Sequence, residues 1–185
     1  EGYRFVFWNF DNPIIIRSSE EFAKAMGKAQ AKEISSYKEY YSDKEVFGNY
    51  RLVNNIDMSQ IDQNAEGTDV VKLTTSTKTF KGLIDGNGFT ISNISLVSSS
   101  VCENFGLFAK LENAVIMNLD LIVESIKNRQ AHIVGTLAGT AIDTRILAIN
   151  IRPKDGGVDT SILGNNVVGG VVGMLFGESK IHDVV

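Results

Sequence analysis

The chain has 185 residues, 43% of them hydrophobic and 22% charged, which suffices for one domain with a buried core and excludes wholesale disorder. With 18 Lys and Arg against 22 Asp and Glu, a net charge of -4 removes the broad cationic field that nucleic acids and anionic membrane surfaces select. A single cysteine, Cys102, rules out an internal disulfide and a cysteine-rich zinc site.

No stretch approaches the ~18 apolar residues of a membrane-spanning helix, and the N-terminus lacks the basic start, apolar middle and small-residue cleavage site of a signal peptide. Glu1 in place of an initiator Met is expected to mark a mature or excised fragment. Residues 1–17 carry Tyr3, Phe5, Val6, Phe7, Trp8 and Phe10, break at Asn12-Pro13 and resume with Ile14-Ile15-Ile16. They read as one or two strands, with the aromatic side chains covering the open end of a core.

Ser18-Ser19-Glu20-Glu21 forms a capping box, in which Ser18 caps a helix and Glu21 reaches back to the cap residue's amide. Phe22, Ala25, Met26 and Ala29 follow at helical spacing, so an amphipathic helix is expected from Ser19 to about Lys32, packed on its own domain. The polar stretch from Ser35 to Asn49 reads as a connector.

From Tyr50 onward helical periodicity gives way to short β-rich runs separated by Asn, Asp and Gly. Candidate strands are Tyr50–Val53, Val70–Leu73, Phe89–Ile91, Ile94–Leu96, Val115–Ile116, Leu119–Val123, Ile146–Leu147 and Ile149–Ile151. They follow too closely for the helix of a βαβ unit, so each must turn a corner into the next.

An internal repeat decides the architecture. Phe105-Gly106-Leu107-Phe108-Ala109 leads through Ala114–Leu119 to Asp120-Leu121, and Val134-Gly135-Thr136-Leu137-Ala138 leads likewise through Thr144–Ile149 to Asn150-Ile151. A third copy is read from Val172-Gly173-Met174-Leu175-Phe176 to Lys180–Val184. The repeated glycines fall at unequal spacings, so the unit is constant while its loops vary, as in a solenoid whose coils bury their faces on one another. Phe105, Leu107, Val115, Leu119, Val134, Leu137, Ile146, Ile149, Val172 and Leu175 are expected to point into one continuous core. The repeated glycine is expected at a tight corner that needs positive φ or close backbone approach.

Asp85-Gly86-Asn87-Gly88 is the one acidic turn with a possible chemistry. Hydrolysis or calcium-assisted lysis of polysaccharide would need carboxylates to converge, and Asp57, Asp62, Asp69 and Asp85 would do so only through stacking. The plainer reading is a structural turn, in which Asp and Asn accept backbone hydrogen bonds and Gly supplies positive φ. Other signatures fail. There is no His-Glu-x-x-His, and His132 and His182 stand alone. Gly86-x-Gly88 and Gly27-Lys28 lack the remaining glycines of phosphate loops, and Cys102 has no basic neighbour in sequence. Asn93-Ile94-Ser95 is formally a glycosylation acceptor but falls between strands.

Tyr50-Arg51-Leu52-Val53-Asn54-Asn55-Ile56-Asp57-Met58-Ser59, followed by Phe80–Ile94 with its Asp-Gly-Asn-Gly turn, resembles the opening of GLUG-type repeat regions of bacterial surface proteins. The Gly-Leu-Phe and Val-Gly-Gly units resemble those families' later coils. The same order, ending in Ser161–Asn166, is also similar to the non-catalytic region of streptococcal IgA-cleaving metalloproteases.

The resemblance covers roughly residues 46–185 and implies an exported parallel β-helix. The resulting expectation is a mainly β protein, a right-handed parallel β-helix with an N-terminal capping helix. Residues 1–49 form the N-terminal strands, helix and connector, and 50–185 the repeats. This segment is expected to be a monomeric, non-catalytic scaffold or binding module, without cofactor or metal, presented at a bacterial cell surface or secreted. Its expected partner is a host or neighbouring-domain protein or glycan surface, neither nucleic acid nor membrane interior. Alternatives are a substrate-positioning region of an IgA-type metalloprotease and a polysaccharide-active β-helix enzyme.

Overall fold

The computed structural model describes residues 12–25, 45–46, 48–61, 79–154 and 161–185. The expected strand Val70–Leu73, the aromatic run before residue 12 and most of the connector lie outside them.

Among the described residues every strand pair is parallel, and the strands fall into three sheets. The largest has the order β1 (Ile14–Ile16), β3 (Asn49–Leu52), β6 (Leu83–Asp85), β10 (Val115–Lys127), β13 (Arg145–Pro153) and β17 (Lys180–Val184). Beside this path β4 (Ile56–Asp57) pairs with β7 (Thr90–Val97), and both β7 and β14 (Ser161–Leu163) pair with β10. A second sheet holds β2 (Glu45–Val46), β5 (Thr79–Phe80), β9 (Phe108–Glu112), β12 (Ala138–Ile142) and β16 (Val172–Phe176). The third holds β8 (Cys102–Phe105), β11 (Ala131–Gly135) and β15 (Val167–Gly169). Chain order passes from one sheet to the next and returns one rung higher, so the architecture is a parallel β-solenoid.

Parallel register stacks like on like. Tyr50, Ile84, Ile116, Ile146 and Ile181 form one ladder, and Phe80, Leu111, Ala141 and Leu175 another. Tyr50 and Phe80, and Phe80 and Phe108, sit with ring centroids 6.1 and 5.4 Å apart. Burial of these ladders from Tyr50 to Ile146 and from Phe80 to Ala141 excludes water along the axis, which is the main favourable term for coils that each have little core alone.

Of the expected core positions, Phe105, Leu107, Leu119, Val134, Leu137, Ile146 and Ile149 belong to the buried cluster. Val115 is buried but outside it, and Ile116 takes the inward place, since successive strand residues face opposite ways and Val115 stacks beneath exposed Arg145. Val172 is only partly buried and Leu175 is 44% exposed. No described strand covers the outer edge of the last rung.

The third repeat is also shifted. Gly135 pairs with Gly169 and Ala138 with Val172, so Val167–Gly169 is the counterpart of Ile133–Gly135, and Val172–Phe176 that of Ala138–Ile142. Gly173, read above as the third repeated glycine, therefore stands one position beyond Val172. The requirement at Gly106 and Gly135 is close approach: a Cβ there would lie 2.4 Å from Gly135 O and 2.1 Å from Ala138 O, respectively. Positive φ occurs instead at two corner ladders: Asn113 (48°), Asp143 (48°) and Gly177 (65°), and Asn118 (55°), Ala148 (52°) and Asp183 (53°). Asn, Asp and Gly predominate there because they tolerate the left-handed region best.

The N-terminal helix is described as α1 (Ser19–Ala25), so Met26 and Ala29 lie outside the described residues. Ser18 Oγ accepts from Glu21 N at 3.2 Å, half of the expected capping box, but Glu21 Oε2 accepts from Arg17 N at 2.6 Å, one residue before the cap. Phe22, Ala23 and Ala25 are buried with Ile16 and Leu52. These turns span roughly 10 Å, about two strand spacings, and meet chiefly β4, which does not amount to the expected cap over the coil.

Candidate functional site

The acidic turn lies where β6 ends. Asp85 pairs in register with Arg51 of the preceding coil and Met117 of the following one, and its side chain is almost wholly buried. Arg51 Nε donates to Asp85 Oδ2 at 3.0 Å, while Asn118 Nδ2 and Asn87 N donate to Oδ1 at 3.1 and 2.9 Å. One carboxylate thus ties three coils together. Phe89 N donates to Gly86 O at 2.9 Å, closing a tight turn with Asn87 and Gly88 at φ 53° and 77°, the backbone of a type I′ turn. A Cβ on Gly86 would stand 2.3 Å from Asn118 O, so only glycine lets the next coil lie against the turn.

A second carboxylate, Asp57, serves its own loop and the coil above. Its Oδ1 accepts from Asn93 Nδ2 at 2.7 Å, Ser59 Oγ at 2.7 Å and Ser59 N at 2.9 Å, and Oδ2 from Gln60 Nε2 at 3.5 Å. The hydrogen bond from Asn93, then those from Ser59, lower its pKa from 3.8 to about 2, outweighing desolvation. Asn93, the formal glycosylation acceptor, therefore has its side-chain nitrogen donated to Asp57. Asp62 and Asp69, the other carboxylates considered for convergence, lie outside the described residues.

No family model matches the chain, and no solved structure matches it. The chain is similar to halomucin of Haloquadratum walsbyi. The two are 32% identical over 130 residues, which is 67% of this chain and 1% of the relative's own length. The likeness to GLUG-type repeats and to the streptococcal protease region therefore remains one of motifs.

The remaining polar groups pair partly across coils and partly within one strand. Glu112 Oε1 and Oε2 meet Lys81 and Lys110 at 3.1 and 2.9 Å, and the hydrogen bond from Lys110, ahead of that from Lys81, holds the Glu112 carboxyl below its ordinary range. Ser95 and Ser125 hydroxyls are 3.1 Å apart, and Lys154 pairs with Glu124. His132 Nδ1 lies 3.0 Å from Asn166 Nδ2, and exposed His182 lies 2.8 Å from Asp183, so the two histidines have separate partners. Cys102 is half-buried beside Asn128 Nδ2 at 3.4 Å, and burial, then Glu103, pushes its thiol pKa up, away from the thiolate a nucleophile requires. Among the described residues no group of three or more His, Cys, Asp or Glu side chains is gathered as metal ligands require. Thr136 Oγ1 is the buried side-chain oxygen without a partner among those residues.

Sequence reasoning found the turn but not Arg51, Asn118 or Asn93, which complete the two carboxylate sites. The available signal was the recurrence of Asn or Asp just after an apolar strand pair, at Ile84-Asp85 and Met117-Asn118. It becomes informative only once those strands are laid one above the other.

Proposed function

We propose that this segment is a non-catalytic scaffold or binding module of a secreted or cell-surface protein, a right-handed β-helix that holds loops and a stacked surface toward a protein or glycan partner. The observation that carries this reading is the use of the turn carboxylates. Asp85 is filled by Arg51, Asn87 and Asn118, and Asp57 by Asn93, Ser59 and Gln60, so both spend their lone pairs on their own turns and on the neighbouring coils. A general acid or base needs a carboxylate open to substrate and within reach of a second one. Similarity to halomucin, by its name a mucin, supports the location. The motif resemblance adds adhesion as the role and bacteria as the setting.

The test is to incubate the chain with acidic polysaccharides and with immunoglobulin A, and to measure its retention on immobilised glycans and host surface proteins. Retention without cleavage is the expected result. Cleavage of either substrate that disappears in Asp85→Ala would replace the scaffold reading with an enzymatic one.

A further inference from the structure

We propose that Asn87–Gly88 is a site of spontaneous deamidation whose rate is governed by the stacking of the coils on either side. Asn-Gly occurs once in the chain, at the exposed tip of the turn after β6. A glycine following asparagine leaves its backbone nitrogen unshielded, and that nitrogen is the nucleophile of the reaction. Gly88 N loses its proton to a solvent base and bonds to Asn87 Cγ. The Cγ–Nδ2 bond breaks, and ammonia leaves after taking a proton from water. Water then opens the succinimide at either carbonyl, giving aspartate or isoaspartate, with no change of oxidation state.

The folded turn opposes each requirement of this path. Gly88 N–H donates to Asn118 O of the following coil at 2.9 Å, so the proton that must leave is held by a carbonyl instead of water. Asn87 Nδ2 donates to Leu52 O of the preceding coil at 3.4 Å, which holds the electrophilic amide in place. Asn87 N donates to Asp85 Oδ1 at 2.9 Å, and the Phe89 N to Gly86 O bond fixes both central residues at positive φ. Ring closure requires rotation about Asn87, and therefore release from the coils before and after it. Reaction proceeds through the opened fraction of molecules, as for other chemistry limited by local unfolding.

The product does not return to the starting geometry. A carboxylate at position 87 places negative charge beside Asp85 and removes the donor to Leu52 O. Isoaspartate also inserts a methylene into a backbone that Gly86 already brings against Asn118 O. Each conversion is thus a lasting record that the coils have parted.

The chain is incubated in mildly alkaline buffer, folded and in denaturing guanidinium chloride, and the unit mass gain is located in the tryptic peptide from Gly82 to Lys110. Asn87→Gln serves as the slow-reacting control. The expected result is conversion at Asn87 in the denatured chain, more than about tenfold slower in the folded one and intermediate at sub-denaturing concentrations. Leu119→Ala, which loosens the coil above the turn, is expected to accelerate it without denaturant. Equal rates in folded and denatured chains, or mass gain located at another asparagine of that peptide, would overturn the proposal.

Discussion

Arg51 Nε stands 3.0 Å from Asp85 Oδ2 across the β3–β6 pair, and the same carboxylate reaches up to Asn118 on β10. Removing it takes the acceptor from donors on three coils at once. Asp85→Ala is expected to lower stability by about 1–2 kcal/mol, the net worth of the hydrogen bonds lost, because Arg51, Asn87 and Asn118 are exposed enough for water to take up their donors, and Asp85→Asn by less, since one acceptor remains. Denaturant melts of the variants read this directly, and equal stability of wild type and alanine variant would show that the turn carboxylate is incidental.

Position along the stack should matter more than residue type. Leu119 is 2% exposed between neighbouring rungs, whereas Leu175, on the last rung, is 44% exposed. Leu119→Ala is expected to cost on the order of 2–5 kcal/mol, and Leu175→Ala under about 1 kcal/mol. A reversed order of denaturation midpoints would contradict the direction of stacking.

Ala148 occupies a left-handed backbone conformation, φ 52°, at the rung between Asn118 and Asp183. Alanine is strained there, while asparagine adopts this region more readily. Ala148→Asn is accordingly expected to raise stability by about 0.5–1 kcal/mol. Its thermal midpoint should move up, and a fall would mean that the exposed corner relaxes in solution.

Asp57 sets an acid limit. Its folded pKa, about 2, lies below the ordinary 3.8, so the folded chain holds the ionised form more firmly than the unfolded chain does. The corresponding stability is present above 3.8 and is lost as the pH falls toward 2. Glu112, lowered first by the hydrogen bond from Lys110, acts in the same direction. Asp57→Asn should flatten the acid side of the stability profile while leaving its slope near neutrality unchanged, which denaturant midpoints measured against pH will report.

Chelation should have no effect on the fold. Asp85 and Asp57 direct their oxygens at nitrogen and hydroxyl donors of the chain itself. Thermal melts with EDTA and with calcium are expected to coincide. A calcium-dependent rise would reveal binding to the native state by mass action.

Short apolar runs separated by Asn, Asp or Gly, together with the internal repeat, are enough to read a solenoid and to find the turn at Asp85, while the parallel sense of its strands follows from the motif resemblance. Phase was harder. Ala114-Val115-Ile116-Met117 is continuously apolar, so nothing local says that Ile116 rather than Val115 faces inward until Ile84 and Ile146 are stacked on it. Val167-Val168-Gly169-Gly170-Val171-Val172-Gly173 contains the Val-Gly signal twice; the sequence alone favours the later copy, and hydrogen bonding selects the earlier. The partners of Asp85 and Asp57 are far apart in sequence, and only register brings them together. The helix stripe, by contrast, is a matter of local spacing, which says nothing about how much of a coil end a helix covers.

In this solenoid the strands run across the axis while the backbone hydrogen bonds run along it, from Tyr50 to Ile84 to Ile116 to Ile146 to Ile181. The two directions therefore have different mechanics. Tension along the axis falls on the inter-rung bonds in series, so the rung of Leu175 and Ile181, the most exposed of the ladders, peels first and the rest follow one at a time. Tension along the strands loads many bonds at once in shear, and covalent backbone carries it between corners. A segment built this way yields gradually when pulled end to end and resists abruptly when pulled across.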